Sequence, residues 1–110
     1  MELGRTLYVW ERARWRAWLE ENHRSEKEIW LVHYTKASGR PNLDYQDAVE
    51  EALCYGWIDS IVKKLDTDGR AQRYSPRRPK SQLSELNKER IRRLMRDGMM
   101  APAGLEAIRH

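Results

Sequence analysis

The residues with the most chemical character fall in seven positions, Cys54-Tyr-Gly-Trp-Ile-Asp-Ser60, which hold the only cysteine, two large aromatics, a glycine and a carboxylate. A thiol attacks as its thiolate, and helix N-termini or adjacent cations are what favour that form. Cys54 has the opposite setting. It falls in the last turn of an expected helix, at the negative end of the dipole, with Asp47, Glu50 and Glu51 one or two turns earlier. All of these keep the thiol neutral, so a structural cysteine is expected. The competing reading is an enzyme of unknown reaction that uses Cys54 or Asp59, with arginines as electrostatic stabilisers.

Other catalytic patterns are weaker. Three histidines and one cysteine occur without a pair at ligand spacing, so neither a metal site nor a cofactor is expected. Glu50 and Glu51 read as the solvated face of an amphipathic helix. Asp59 interrupts an otherwise apolar strand and needs a partner if it is buried.

The second feature is an uneven charge. Residues 44–59 hold five acidic side chains and no basic one, whereas residues 70–96 hold ten basic side chains against Glu85 and Glu89. Within the basic half, Arg73-Tyr-Ser-Pro-Arg-Arg-Pro-Lys-Ser81 carries two prolines that stiffen an extended backbone and present Arg77, Arg78 and Lys80. Ser81 or Ser84 caps the helix that follows, and free N–H groups at a helix N-terminus suit phosphate or carboxylate. The functional reading is a binding cleft between the two motifs, built from Tyr55, Trp57, Asp59, Arg73, Arg77, Arg78, Lys80 and Ser81. Its partner would be an anionic small molecule or an acidic segment of another protein. The plainer reading pairs these arginines with the acidic helix or with water. Nucleic acid is disfavoured, because Tyr74 is the single aromatic of the basic half and single-strand binders offer several stacking platforms.

The elements that must position these groups follow from pattern. Residues 7–22 read as a helix with Thr6 as N-cap, placing Trp15, Trp18 and Leu19 on one face; Arg12, Arg14 and Arg16 belong to a solvated face of weak ion pairs. Residues 28–35 form a nearly continuous apolar run, as in a strand covered on both faces. Gly39 and Pro41 mark a loop. Asp44 caps a helix, with Asp47 in the place of the usual capping-box glutamate, an apolar stripe of Tyr45, Ala48, Val49, Ala52 and Leu53, and Gly56 as its left-handed stop. A hairpin follows, with strands at 57–65 and 70–75 around a turn at 66–69. A long helix to about Asp97 carries Leu83, Leu86, Ile91, Leu94 and Met95 inward and ends at Gly98, and Pro102 opens a short last helix.

These elements imply one α+β domain of 110 residues, with a short mixed or antiparallel sheet of about three strands and helices packed on it. Hydrophobic residues at 40% and charged residues at 35% suit a globular fold, and no apolar run reaches the roughly 20 residues of a membrane span. The net charge of +4 makes contact with polyanions easy. A single cysteine and an N-terminus without a basic-then-apolar leader point to the cytoplasm.

A resemblance spans most of the chain. Asp47-Ala-Val-Glu-Glu-Ala-Leu-Cys-Tyr-Gly-Trp-Ile-Asp-Ser60, the basic motif at 73–81, Asn87-Lys-Glu-Arg90, Gly98-Met-Met-Ala-Pro-Ala-Gly104 and, upstream, Trp18-Leu-Glu-Glu-Asn-His23 and Glu28-Ile-Trp-Leu31 resemble the bacteriocin-protection, YdeI or OmpD-associated family. The resemblance implies a small bacterial α+β accessory domain, linked to envelope stress and to tolerance of bacteriocins or cationic peptides, with no catalytic residue to transfer. Leu83 departs from that family's usual tryptophan, and the chain stops soon after the Pro-Ala-Gly segment where many members continue.

Overall fold

A computed structural model describes residues 3–65, 68–78 and 81–109. The elements run β1 (Thr6–Leu7), α1 (Arg12–Asn22), β2 (Ile29–Tyr34), a 3-10 turn (Lys36–Ser38), α2 (Tyr45–Cys54), β3 (Trp57–Lys64), β4 (Gly69–Pro76), α3 (Glu85–Arg96) and α4 (Pro102–Ala107). The sheet order is β1-β2-β4-β3, with β1 parallel to β2 and the other neighbours antiparallel. The architecture is α+β, as the sequence implies, with a mixed sheet of four strands rather than three.

The extra strand comes from the region read as the start of the first helix. Thr6 and Leu7 pair with Trp30 and Leu31, and α1 starts only at Arg12, after Glu11, which makes no side-chain cap. Thr6 therefore caps nothing. The β-branched and aromatic run at 6–10 favours extended backbone, and β2 offers it a free edge.

Cross-strand partners share a face, so the registers sort the helix-covered side of the sheet into rows. Ile29, Tyr74 and Asp59 form one row; Leu31, Gln72 and Val62 the next; His33, Arg70 and Lys64 the last. Ile29, Leu31 and Tyr74 are fully buried, while Val62 is 51% exposed. The helices cover the first end of these rows and leave the other open.

Under the helices Trp15 stacks on Trp18 (5.7 Å between ring centroids) and meets Tyr74 edge-on, and Trp18 meets Trp57 edge-on. The Trp15 indole donates to the Ala48 carbonyl (2.9 Å), which seats α1 on α2. The core therefore takes its aromatic volume from tryptophan and tyrosine in a chain without phenylalanine.

Helix α2 lies at the centre and overturns the largest expectation about charge. Glu50 and Glu51 are not solvated: they are 3% and 1% exposed. Arg12 of α1 reaches Glu51, Asp47 (2.8 Å) and Glu50 (3.2 Å), Arg16 reaches Glu51 (2.9 Å), and Arg93 of α3 reaches Glu50. Arg12 and Arg16, read as part of a solvated face, are interhelical bridges. Asp44 caps α2 by accepting from the Asp47 amide (3.2 Å), but Asp47 turns its carboxylate to Arg12 and leaves the reciprocal half of the box unmade. Tyr45 is half exposed, outside the apolar stripe. Gly56 has φ 76°, and a Cβ there would press on Ala107 of α4, so the stop and the docking of α4 both need glycine.

In α3 Ser84, not Ser81, is the cap, accepting from the Asn87 amide (3.1 Å). Ile91 and Leu94 face inward, while Leu86 and Met95 are exposed at 61% and 48% because the helix packs on α2 along one narrow stripe. Among the described residues no helix is long and apolar enough to cross a membrane.

Candidate anion-binding cleft

The expected site residues separate in space. Cys54 is buried, and burial, reinforced by Glu51, pushes its thiol above the usual range. Tyr55 turns toward α1, where its hydroxyl donates to Glu20 (2.6 Å); burial, then this bond, pushes the phenol up to about 12. Trp57 belongs to the core. Asp59 finds no arginine: it accepts from the Tyr45 hydroxyl (2.6 Å) and, at 3.5 Å, from Gln72.

The basic motif forms a groove of about 460 Å³ lined by Arg73, Arg77, Arg78 and Ser81 together with Ile58 and Ser60 of β3. Tyr55, Trp57 and Asp59 do not line it, and strand alternation is the reason: Trp57 and Asp59 point to the helix side, their neighbours Ile58 and Ser60 away from it. The composite cleft between the two motifs is thus replaced by a groove on the other side. Its cations are largely committed. Arg73 pairs with Glu28 (2.6 Å) and bonds Ser75, and Arg77 donates to the carbonyls of Ala107 (2.7 Å) and Ser81 (2.6 Å). Arg77 is a strut that ties the loop to the end of α4. Arg78 is exposed, and Lys80 lies outside the described residues.

A more open arrangement lies at the uncovered end of the sheet rows. Two adjoining chambers, about 570 and 190 Å³, share His33, Tyr34, Asn42 and Arg70 in their walls. Thr35, Lys36, Val62, Lys64 and Gly69 complete the larger; Leu43, Tyr45 and Gln72 complete the smaller. No residue of α1, α3 or α4 contributes, so the cleft sits where the helical layer stops.

Local chemistry builds its walls. Strand β2 outruns two-residue β1, leaving the Tyr34 backbone without a strand on that edge. Asn42 fills the place: its amide donates to the Tyr34 carbonyl (2.6 Å) and its side-chain carbonyl accepts from the Tyr34 N–H (2.7 Å). Tyr8 donates to the Pro41 carbonyl (2.6 Å) and holds the same loop from outside. The 35–43 segment is thereby pinned as one wall, with the sheet as the other.

The electrostatics are one-sided. Among the described residues, Arg70, Lys64 and Lys36 are exposed and form no ion pair, and no carboxylate lines either chamber. His33 stands across the ladder from Arg70, with neither ring nitrogen partnered and neither open to water. Burial, then the Arg70 charge, holds its pKa below the ordinary value, so the resting ring is neutral. A shaped opening with three cations that have no ion pair among the described residues, and a neutral histidine in its wall, suits an anion.

The family model of a domain of unknown function, DUF8412, matches residues 7–107. The chain belongs to that family. The resemblance to the bacteriocin-protection, YdeI or OmpD-associated family is overturned by this match. The motifs that carried it include a glycine stop and a proline-led last helix, which are folding signals any small α+β domain can share. No curated protein and no solved structure matches the DUF8412 chain.

The sequence reading missed His33, Arg70, Asn42 and Lys64 as a group. One signal was present: His33 ends an apolar strand run, where a polar side chain on a core-facing position calls for a reason.

Proposed function

We propose that this DUF8412 domain is a binding domain for a small anionic ligand, taken up in the cleft between His33 and Arg70. The observation that carries the reading is the gathering of Arg70, Lys64 and Lys36 beside His33 in an opening that no carboxylate lines among the described residues. An enzyme built on Cys54 is disfavoured because its thiol is enclosed and neutral, with no opening onto it among the cavities described above.

A thermal-shift panel of inorganic phosphate, simple carboxylates, nucleotides and oligonucleotides at low salt tests the proposal. A ligand at 100 times its Kd stabilises by about 2.7 kcal/mol, and Arg70→Gln removes that gain. Stabilisation that survives Arg70→Gln but disappears with Arg78→Gln moves the site to the loop groove, the second reading, which Arg78 supports as an exposed cation there. Stabilisation by oligonucleotides alone, falling steeply with salt, makes the domain a nucleic-acid binder instead.

A further inference from the structure

Strand β3 is an edge of the sheet, and its outer rim carries unpaired backbone. The Gly56 carbonyl accepts from the Arg77 N–H (2.9 Å) and the Leu65 N–H donates to the Gly69 carbonyl (2.9 Å), so the backbone groups of Gly56, Ile58, Lys63 and Leu65 point at β4. Alternation turns those of Trp57, Asp59, Val62 and Lys64 outward, the register shift between Asp59 and Val62 absorbing the extra residue. Among the described residues, large exposed hydrophobics fall on no other strand: Ile61, Val62 and, just past the strand end, Leu65 are 41%, 51% and 38% exposed. Such an edge is a template for another strand.

The residues along that rim complement themselves. Antiparallel partners share a face and present hydrogen-bonding groups to each other. Asp59, Val62 and Lys64 meet both conditions, since all three lie on the helix side and all three open outward. With a two-fold axis at Val62, that residue meets its own copy, Asp59 meets the partner's Lys64, and Lys64 meets the partner's Asp59. One place further, on the opposite side of the sheet, Ile58 falls against the partner's Leu65. Ile58 there shares a groove of about 460 Å³ with Ser60 and Leu83, which gives that leucine an apolar recess. Moving the axis to Asp59 or to Lys64 sets like charges against each other.

We propose that β3 pairs antiparallel with β3 of a second copy of this chain, the axis passing through Val62, so that one sheet runs through both copies. Carboxylate–ammonium pairs flank an apolar centre, and the open rim of each strand is closed. The Tyr45 and Gln72 hydrogen bonds to Asp59 both end on Oδ2, and the partner's ammonium is assigned to Oδ1. Lys64 then has a carboxylate opposite it, while Arg70 and Lys36 are left to the anion cleft, whose occupancy the pairing does not require. One strand edge is a small interface, so association is weak and depends on concentration.

Sedimentation equilibrium of the whole chain at low salt, from micromolar to about 1 mM, tests this. The expected result is a monomer–dimer equilibrium. Val62→Lys sets two ammoniums on the axis and should weaken the dimer by about tenfold or more. Its circular dichroism should stay that of the wild type, because the side chain is already half exposed. Lys64→Glu meets the partner's Asp59, and Asp59→Lys meets the partner's Lys64. Each alone should be monomeric, and an equimolar mixture of the two should dimerise. A monomer throughout the range overturns the pairing, and so does a dimer unchanged by Val62→Lys or by Lys64→Glu. A mixture of folded variants that stays monomeric overturns the register. If Asp59→Lys fails to fold for want of its Tyr45 bond, Val62→Lys and Lys64→Glu still decide.

Discussion

Glu51, 1% exposed in the middle of α2, accepts from Arg12 and from Arg16, two residues one turn apart on α1. The pair of guanidiniums makes α1 and α2 one electrostatic unit, and Arg16 extends it to the Met99 carbonyl beyond α3 (2.9 Å). Removing one member of a buried ion pair costs about 3–5 kcal/mol because the survivor is left uncompensated. Arg12 and Arg16 are a third exposed and can turn to water. Glu51→Ala is therefore expected at the lower end, about 3 kcal/mol, read from urea unfolding. A loss below 1 kcal/mol would show that the network is ornamental.

Glu50 carries the acid sensitivity. Burial alone would raise its carboxyl, but hydrogen bonds from Arg93 and Gln46, with Arg12 adding a further one, hold it below the ordinary range in the folded state. A depressed folded pKa contributes stability that is present above the unfolded value near 4.5 and lost as pH falls through the folded one. The urea midpoint should therefore drop below about pH 4.5, and Glu50→Gln should flatten that drop while lowering stability at pH 7. An identical acid limb in the variant would locate the sensitivity elsewhere.

The thiol gives a cleaner test. With burial and Glu51 both raising its pKa, Cys54 should react slowly with a disulfide reagent between pH 5 and 9 in the native protein and rapidly once urea unfolds the chain. Fast native labelling near pH 7 would revive the thiol-enzyme reading.

Docking of α4 needs a second glycine besides Gly56. A Cβ at Gly104 would run into the Cys54 carbonyl oxygen, which accepts a hydrogen bond from the Ala101 N–H (3.0 Å). Gly104→Ala should cost about 1–3 kcal/mol, the range for overpacking, because the obstruction is backbone that cannot swing aside. Gly98→Ala, where a Cβ meets nothing within 4 Å, leaves only the strain of φ 70° and should cost less.

Local signals in the sequence were legible and long-range ones were not. Asp44, Gly56, Gly98 and Pro102 mark element ends through backbone chemistry that acts within a few residues, and each does what its type implies. Two-residue β1 has no period of its own and exists because β2 offers an edge. Glu50 and Glu51 look solvated in any single-helix reading, since what buries them is two other helices bringing arginine. The plain reading of the basic half gained one member in Arg93 on Glu50, while Arg73 chose Glu28 and Arg77 chose carbonyls. His33 and Arg70 are joined only by the register of an antiparallel pair, which no local pattern encodes.

The most direct test of the anion cleft is a backbone-amide NMR titration of the DUF8412 domain with inorganic phosphate and with acetate, at pH 6 and low salt. The account predicts saturable shifts from one or both, centred on Thr35, Lys36, Val62, Lys64 and Arg70 and absent in Arg70→Gln. Shifts centred instead on residues 77–84, or none with either anion at any concentration, would contradict it.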